Sequence, residues 1–231
     1  MAIFRLDDTL AFPPPALAEE SGLLAVGGDL SPGRLLLAYA SGIFPWYNEG
    51  EPILWYAPPQ RMVLPIEEMH IGRTLAKAIR RRAFSVTMDS AFESVIDACA
   101  QRPRPGQSGT WITTDMRAAY IELHRRGFAH SVESWRGDQL VGGLYGVSLG
   151  AVFCGESMFS LEDNASKVAF AALVERLAEW RFHFVDCQVH TPLMDALGGV
   201  EVARSRFEAM LQSALEEPTR RGPWSGEVAL V

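Results

Sequence analysis

The chain has 231 residues, a formal net charge of −7 at pH 7 and 48% hydrophobic content. That is ample for one large domain or two smaller ones, and with no apolar run of about 18 residues no membrane span is expected. The three cysteines, Cys99, Cys154 and Cys187, are far apart and odd in number, which argues against a disulfide framework or a metal-type pair and for a reduced, cytoplasmic protein.

The opening Met1-Ala2-Ile3-Phe4-Arg5-Leu6-Asp7-Asp8 turns acidic too early for a secretory signal. Residues 1–65 are rich in proline, glycine and aromatics and predict a small, irregular N-terminal domain. Its one firm helix starts at Ser31-Pro32, a cap followed by proline at the first helical position, and ends at Gly42. From residue 66 to 231 the pattern changes to alternating helices and strands, a second and larger domain. A basic helix is predicted near 72–82 and a strand at 84–88. Ser90 with Glu93 has capping-box spacing and predicts a helix to about 100. Residues 102–109, with two prolines and two glycines, read as a loop. Thr114 opens a helix with Met116, Ala119, Tyr120 and Leu123 at helical spacing, stopped by Gly127.

Strands follow at 130–136, 139–147 and 151–159, the first two joined at Gly137-Asp138. Asn164 is placed to cap a long helix, to about 180, with an inward stripe of Phe170, Leu173, Val174 and Leu177. A strand at 182–189, a short helix from Thr191-Pro192 and a last helix from Ser205 complete the order. The tail from Glu217 is polar and predicts a loosely held end. The order β-β-β-α-β-α with mixed pairing makes an α/β fold with a mixed sheet. It resembles that of the acetyl-CoA-dependent N-acetyltransferases. A CoA site would need a glycine-rich turn between central strand and helix. This chain has Phe159-Ser160-Leu161-Glu162-Asp163-Asn164 there, and two acids would repel a pyrophosphate.

Two runs set polar groups inside apolar stretches: Gly155-Glu156-Ser157-Met158-Phe159-Ser160 and Asp186-Cys187-Gln188-Val189. Buried polar groups cost free energy unless partnered, so each asks for a reason. Strand alternation would put Asp186 and Gln188 side by side, with Cys187 opposite. A catalytic cluster and a structural hydrogen-bond network are both compatible with these residues. Five basic residues and no acid lie between Arg73 and Arg82. Arg73, Lys77, Arg80 and Arg81 fall toward one side of a helix. They could contact phosphates or simply form a solvated face, although the lack of i,i+4 acidic partners weakens the second reading.

Taken with Gly22-Leu23-Leu24-Ala25-Val26-Gly27-Gly28-Asp29-Leu30, Gly42-Ile43-Phe44-Pro45-Trp46, Gly109-Thr110-Trp111-Ile112-Thr113 and Asn164-Ala165-Ser166-Lys167, these runs closely resemble the bacterial leucyl/phenylalanyl-tRNA–protein transferases, from about Phe12 to Phe207. The resemblance implies a small N-terminal domain plus an acyltransferase-like (GNAT-like) C-terminal domain. It also implies transfer of Leu or Phe from aminoacyl-tRNA to a protein with N-terminal Arg or Lys, marking that protein for N-end-rule degradation. No metal or other cofactor is then expected, because an ester converts to an amide downhill.

By the same resemblance Asp186 and Gln188 act on the incoming amine, with Asp186 orienting or polarising the Gln188 amide. A carboxylate suits guanidinium or ammonium, so Glu156 is a candidate to hold the acceptor's cationic side chain. Trp46, Trp111 and Tyr120 surround the aminoacyl-adenosine. Phe153 and Phe170, with Leu144, Leu173 and Leu177, line the amino-acid pocket, and Arg73, Lys77, Arg80 and Arg81 contact tRNA phosphate. Core packing is the plain alternative for the aromatics and leucines, most strongly for Tyr120 on its apolar helix stripe. One methylene discriminates by only about 1–3 kcal/mol, so relaxed choice among Leu, Phe and Met is expected. A CoA-using small-molecule N-acyltransferase and a tRNA-binding module without catalysis are the rival functions.

Overall fold

The structure, a computed structural model, describes residues 3–102 and 111–228. Apart from Arg102, the loop expected at 102–109 lies outside them, as do Gly109 and Thr110. The fold is mixed α/β and contains two sheets.

The first sheet is built from β1 (Phe4–Leu6), β2 (Leu23–Gly27), β3 (Phe44–Pro45) and β4 (Leu54–Tyr56), in the order β1-β2-β4-β3. It replaces the irregular region expected at the N-terminus. Strands of two to five residues are too short to show alternation, so periodicity does not reveal them. Helix α1 (Pro32–Ala40) starts as expected, with the Ser31 side chain accepting from the Arg34 N–H, and it ends at Gly42 with φ +74°.

The second sheet begins at β5 (Gln60–Pro65). Then come α2 (Arg73–Arg80), β6 (Ser85–Met88), α3 (Phe92–Gln101), α4 (Thr114–Arg125), β7 (Ala129–Arg136), β8 (Gln139–Leu149), β9 (Val152–Ser160), α5 (Ala165–Glu179) and β10 (Phe184–Gln188). The short α6 (Pro192–Ala196), β11 (Val200–Ala203), α7 (Arg204–Leu215) and β12 (Gly226–Glu227) close the chain. The strand order is β11-β5-β10-β9-β8-β7-β6-β12. Strands β9 and β10 are parallel, and every other neighbouring pair of this sheet among the described residues is antiparallel. A parallel pair needs a crossover connection, and α5 supplies it. The three-strand meander, crossover helix and parallel central pair make this an acyltransferase-like sheet.

Alternation along the central strands divides the core between the two faces. Val152, Cys154 and Phe184 join one cluster with Tyr39, Phe92, Tyr120 and Phe207. Phe153 and Val185 point the other way, toward Phe170, Leu173, Leu177 and Trp224. Because α5 is covered along most of its circumference, its burial extends beyond the expected stripe to Val168, Ala169, Ala171 and Ala172.

Several local expectations are corrected. Ser90 makes no capping box: its hydroxyl donates to the Met88 carbonyl and its N–H to Glu133, while Ala91 occupies the cap of α3. Asn164 stands at the start of α5 but in left-handed backbone, φ +68°, with no side-chain cap bond. The Ser160 hydroxyl accepts from the Ser166 N–H instead. The cap of α4 is Thr113, accepting from Met116. Strand β11, which sequence patterning does not reveal, adds an edge beside β5. Between residues 217 and 228 the tail is not loose, because β12 pairs with β6 and Trp224 is buried.

Candidate active site

The site opens where the two parallel strands stop pairing. Their register runs Phe184 to Val152, Val185 to Phe153 and Asp186 to Cys154. Beyond that point β9 continues to Ser160, while β10 slips register between Asp186 and Gln188 and ends. Gln188 takes positive φ, +56°, a backbone region that costs an L-residue of this kind about 1–2 kcal/mol. The bulge breaks the alternation expected for Asp186-Cys187-Gln188. Cys187 and Gln188 both line the cavity that opens here, and Asp186 does not.

Asp186 lies beneath. Its carboxylate accepts from Arg61 through two bonds, Nε to Oδ1 at 2.8 Å and Nη2 to Oδ2 at 2.6 Å, with both side chains 2% exposed or less. Arg61 also donates to the Gly42 carbonyl at 3.0 Å, and its guanidinium lies 4.7 Å from the Phe44 ring centre and 4.5 Å from that of Phe207. Asp186 Oδ1 accepts the Gln188 backbone N–H at 3.0 Å. Asp186 therefore holds the backbone of the bulge and does not orient the Gln188 amide, the role expected of it from sequence.

That amide is held by Glu156. Gln188 Nε2 donates to Glu156 Oε1 at 3.1 Å, and the Tyr120 hydroxyl donates to Oε2 at 2.9 Å. Tyr120 in turn makes a short hydrogen bond to the Tyr39 hydroxyl on α1. Both Glu156 oxygens thus accept from within the protein. Burial pushes the Glu156 carboxyl up to about 7, against the lowering effect of the tyrosine hydroxyls; the Asp186 charge raises it further and Arg61 lowers it. Tyr39 and Tyr120 are raised well above their usual range, first by burial and then by the Glu156 charge, so they remain donors.

The cavity has a volume of about 580 Å³. Its walls are mainly apolar, with Leu144, Phe153, Met158, Phe170 and Val185 on the α5 side and Phe44, Trp46 and Trp111 elsewhere. Glu156, Ser157, Gln188 and Thr191 supply polar groups. A largely apolar pocket with a few convergent polar groups is the usual form of a small-ligand site. Trp46 is 39% exposed at its edge, whereas Trp111 is 8% exposed.

Seven of the fifteen residues singled out from sequence meet here: Glu156, Gln188, Trp46, Trp111, Leu144, Phe153 and Phe170 line one cavity. Among the others, Tyr120 is fully buried; it hydrogen-bonds Glu156 and meets the ring of Tyr145, a lining residue, edge-on. Leu173 and Leu177 belong to the core under α5 and are absent from the lining, because they sit further along a helix whose Phe170 alone reaches the cavity. Arg73, Lys77, Arg80 and Arg81 are all exposed on and just after α2. Sequence reasoning missed Arg61, Tyr39, Met158 and Cys187. Arg61 carried a signal, a charge beside the apolar run Met62-Val63-Leu64. The others look like ordinary core residues until the fold brings them together.

The C-terminal part of the chain, residues 63–212, matches the leucyl/phenylalanyl-tRNA protein transferase family, and residues 28–59 match the N-terminal domain of the same family. A leucyl/phenylalanyl-tRNA–protein transferase of Anaeromyxobacter sp. (strain Fw109-5) is 57% identical over 224 residues, covering 97% of this chain and 95% of its own. That of Myxococcus xanthus (strain DK1622) is 54% identical over 227 residues, covering 97% of each. Among solved structures, L-PGS from Bacillus licheniformis aligns at 10% identity with a TM-score of 0.39, over 73% of this chain and 54% of that one, a likeness from which nothing about activity follows. With both segments matched and relatives similar over nearly the full length, the chain belongs to the leucyl/phenylalanyl-tRNA protein transferase family.

Proposed function

We propose that this protein transfers Leu or Phe from aminoacyl-tRNA to the α-amino group of an acceptor protein whose first residue is Arg or Lys, marking the acceptor for N-end-rule degradation, and that it does so in the cytoplasm. The observation that carries the site assignment is the Gln188–Glu156 hydrogen bond on the wall of an apolar cavity. Family membership supports the substrates.

The aminoacyl side chain occupies the apolar end, against Leu144, Phe153, Met158 and Phe170. Trp46 and Trp111 offer aromatic faces to the terminal adenosine, where stacking on an unpaired base contributes about 1–3 kcal/mol. Glu156, by taking the Nε2 donor of Gln188, leaves the Gln188 carbonyl oxygen to accept from the incoming amine. An α-amino group has a pKa of about 7.7–8.0, so a sizeable neutral fraction exists near pH 7 and the site needs orientation more than a strong base. The amine nitrogen attacks the ester carbonyl carbon, the bond to the ribose oxygen breaks, and the amine proton ends on that oxygen. One amide forms, one ester is lost, and no redox change occurs. Asp186 acts through Arg61 and the bulge. Glu156, which accepts from both Gln188 and Tyr120, serves to orient Gln188. Arg73, Lys77, Arg80 and Arg81 offer charge to the tRNA backbone, where contacts carry no sequence information.

The test is transfer of labelled Leu from Leu-tRNA to a protein beginning with Arg, with an acceptor beginning with Ala as control. Transfer confined to the Arg acceptor, and lowered about 100-fold by Gln188→Ala with the melting temperature little changed, is the expected result. Transfer to neither acceptor, or a full-rate Gln188→Ala variant, contradicts the proposal.

A further inference from the structure

After α7 the chain returns to the large sheet and is fastened at successive points. The Gly150 N–H donates to Thr219 Oγ1 at 2.9 Å, the Gly222 N–H to the Gly127 carbonyl at 3.0 Å, and the Trp224 N–H to Asp89 Oδ2 at 2.6 Å. These bonds lead into β12, and together they deliver Trp224, 6% exposed, into the core cluster under α5. There its ring lies flat on His130, with centroids 3.6 Å apart and planes at 0°. Its other aromatic neighbours include Phe153, at 6.0 Å and 38°.

Phe153 is a wall of the cavity, and Trp224 does not line it. On Phe153's strand-facing side is Gly146. A Cβ there would fall 2.6 Å from Phe153 Cε1 and 2.7 Å from Cζ, so the ring uses the space that glycine leaves. Phe153 is thus seated on Gly146 and backed by Trp224. Close-packed interiors transmit the loss of a large side chain to its neighbours, since the surroundings relax only partly into the void.

We propose that Trp224 is a positioning residue that sets the depth of the cavity through Phe153, and so governs selection between Leu and Phe side chains. This rests on the cavity being the aminoacyl pocket. The tail that carries Trp224 lies beyond residues 63–212, the span of the family match. Removing the indole lets the Phe153 ring retreat and deepens the pocket, which favours the larger substrate.

The experiment measures kcat/KM for Leu-tRNA and Phe-tRNA in parallel with wild type, Trp224→Ala, Trp224→Phe and Leu211→Ala. Leu211 is a buried residue of α7 away from the cavity lining, and its truncation reports general loss of core packing. The Phe-to-Leu ratio is expected to rise about tenfold in Trp224→Ala, the low end of what a methylene's worth of pocket space discriminates. It should stay within twofold of wild type in Trp224→Phe and Leu211→Ala. If Trp224→Ala does not fold, Trp224→Leu carries the same test. A folded variant whose ratio stays within twofold of wild type, or shifts toward Leu, overturns the assignment while leaving the activity intact. A wild type that transfers neither amino acid overturns the underlying function, and the role of Trp224 falls with it.

Discussion

The chemistry of Glu156 depends on its surroundings. In the unfolded chain its carboxyl has an ordinary pKa near 4.5, and in the fold burial pushes it up to about 7. A carboxyl raised in this way binds its proton more tightly in the folded state. Its stabilising contribution is therefore complete below about pH 4.5 and is lost as pH rises toward 7, after which it is constant. Glu156→Gln has no such proton to lose. In urea unfolding, wild type should lose on the order of 3 kcal/mol relative to Glu156→Gln between pH 4.5 and pH 8. A pH-independent difference would show that Glu156 does not titrate in this window.

The ion pair beneath makes a second prediction. Removing one partner of a buried pair strands the other charge, at a cost of about 3–5 kcal/mol, whereas apolar replacement of both is often neutral. Arg61→Met should therefore unfold at much lower denaturant than the double variant Arg61→Met/Asp186→Leu. Equal destabilisation of both would mean that the charges are solvated in the native state. Turnover should fall in both, because the bulge that carries Gln188 is no longer held by the pair.

Among the elements, helix α5 shows how a correct boundary can rest on the wrong local cause. Asparagine before an apolar run suggests a side-chain cap, yet Asn164 contributes its tolerance of left-handed backbone. Serine caps as well as asparagine but tolerates that backbone poorly. Asn164→Ser should therefore destabilise by about 1 kcal/mol while Asn164→Gly does not, measured by denaturant midpoint. Equal stability of the serine variant would restore the side-chain cap. The helices were legible because stripes such as Met116, Tyr120 and Leu123 repeat over several turns. β3, β11 and β12, with two to four residues each, exist only because a neighbouring strand offers backbone partners.

For the molecule as a whole, a net charge of −7 coexists with an exposed helix that carries Arg73, Lys77 and Arg80 and no acid. Charge distribution, rather than its sum, governs association with a polyanion. Replacing Arg73, Lys77, Arg80 and Arg81 by alanine should weaken tRNA binding and flatten its dependence on salt. In a plot of log affinity against log salt, the slope should drop by roughly 0.9 for each duplex phosphate that is no longer neutralised. An unchanged slope would remove α2 from the tRNA surface.

Sequence alone determined the family, the order of the main helices and strands, and several of the residues that line the cavity. These rest on local signals: periodicity, punctuation by glycine and proline, and polar groups placed where an apolar strand should not tolerate them. Tertiary structure decided how those groups are joined. Only the parting of β9 and β10 opens a cavity, and only the bulge at Gln188 turns its side chain toward Glu156 while Asp186 stays below with Arg61, 125 residues away in sequence. The burial of Trp224 beside Phe153 is of the same kind. Hydrogen bonds and close packing between distant segments depend on three-dimensional distance, which local pattern does not encode.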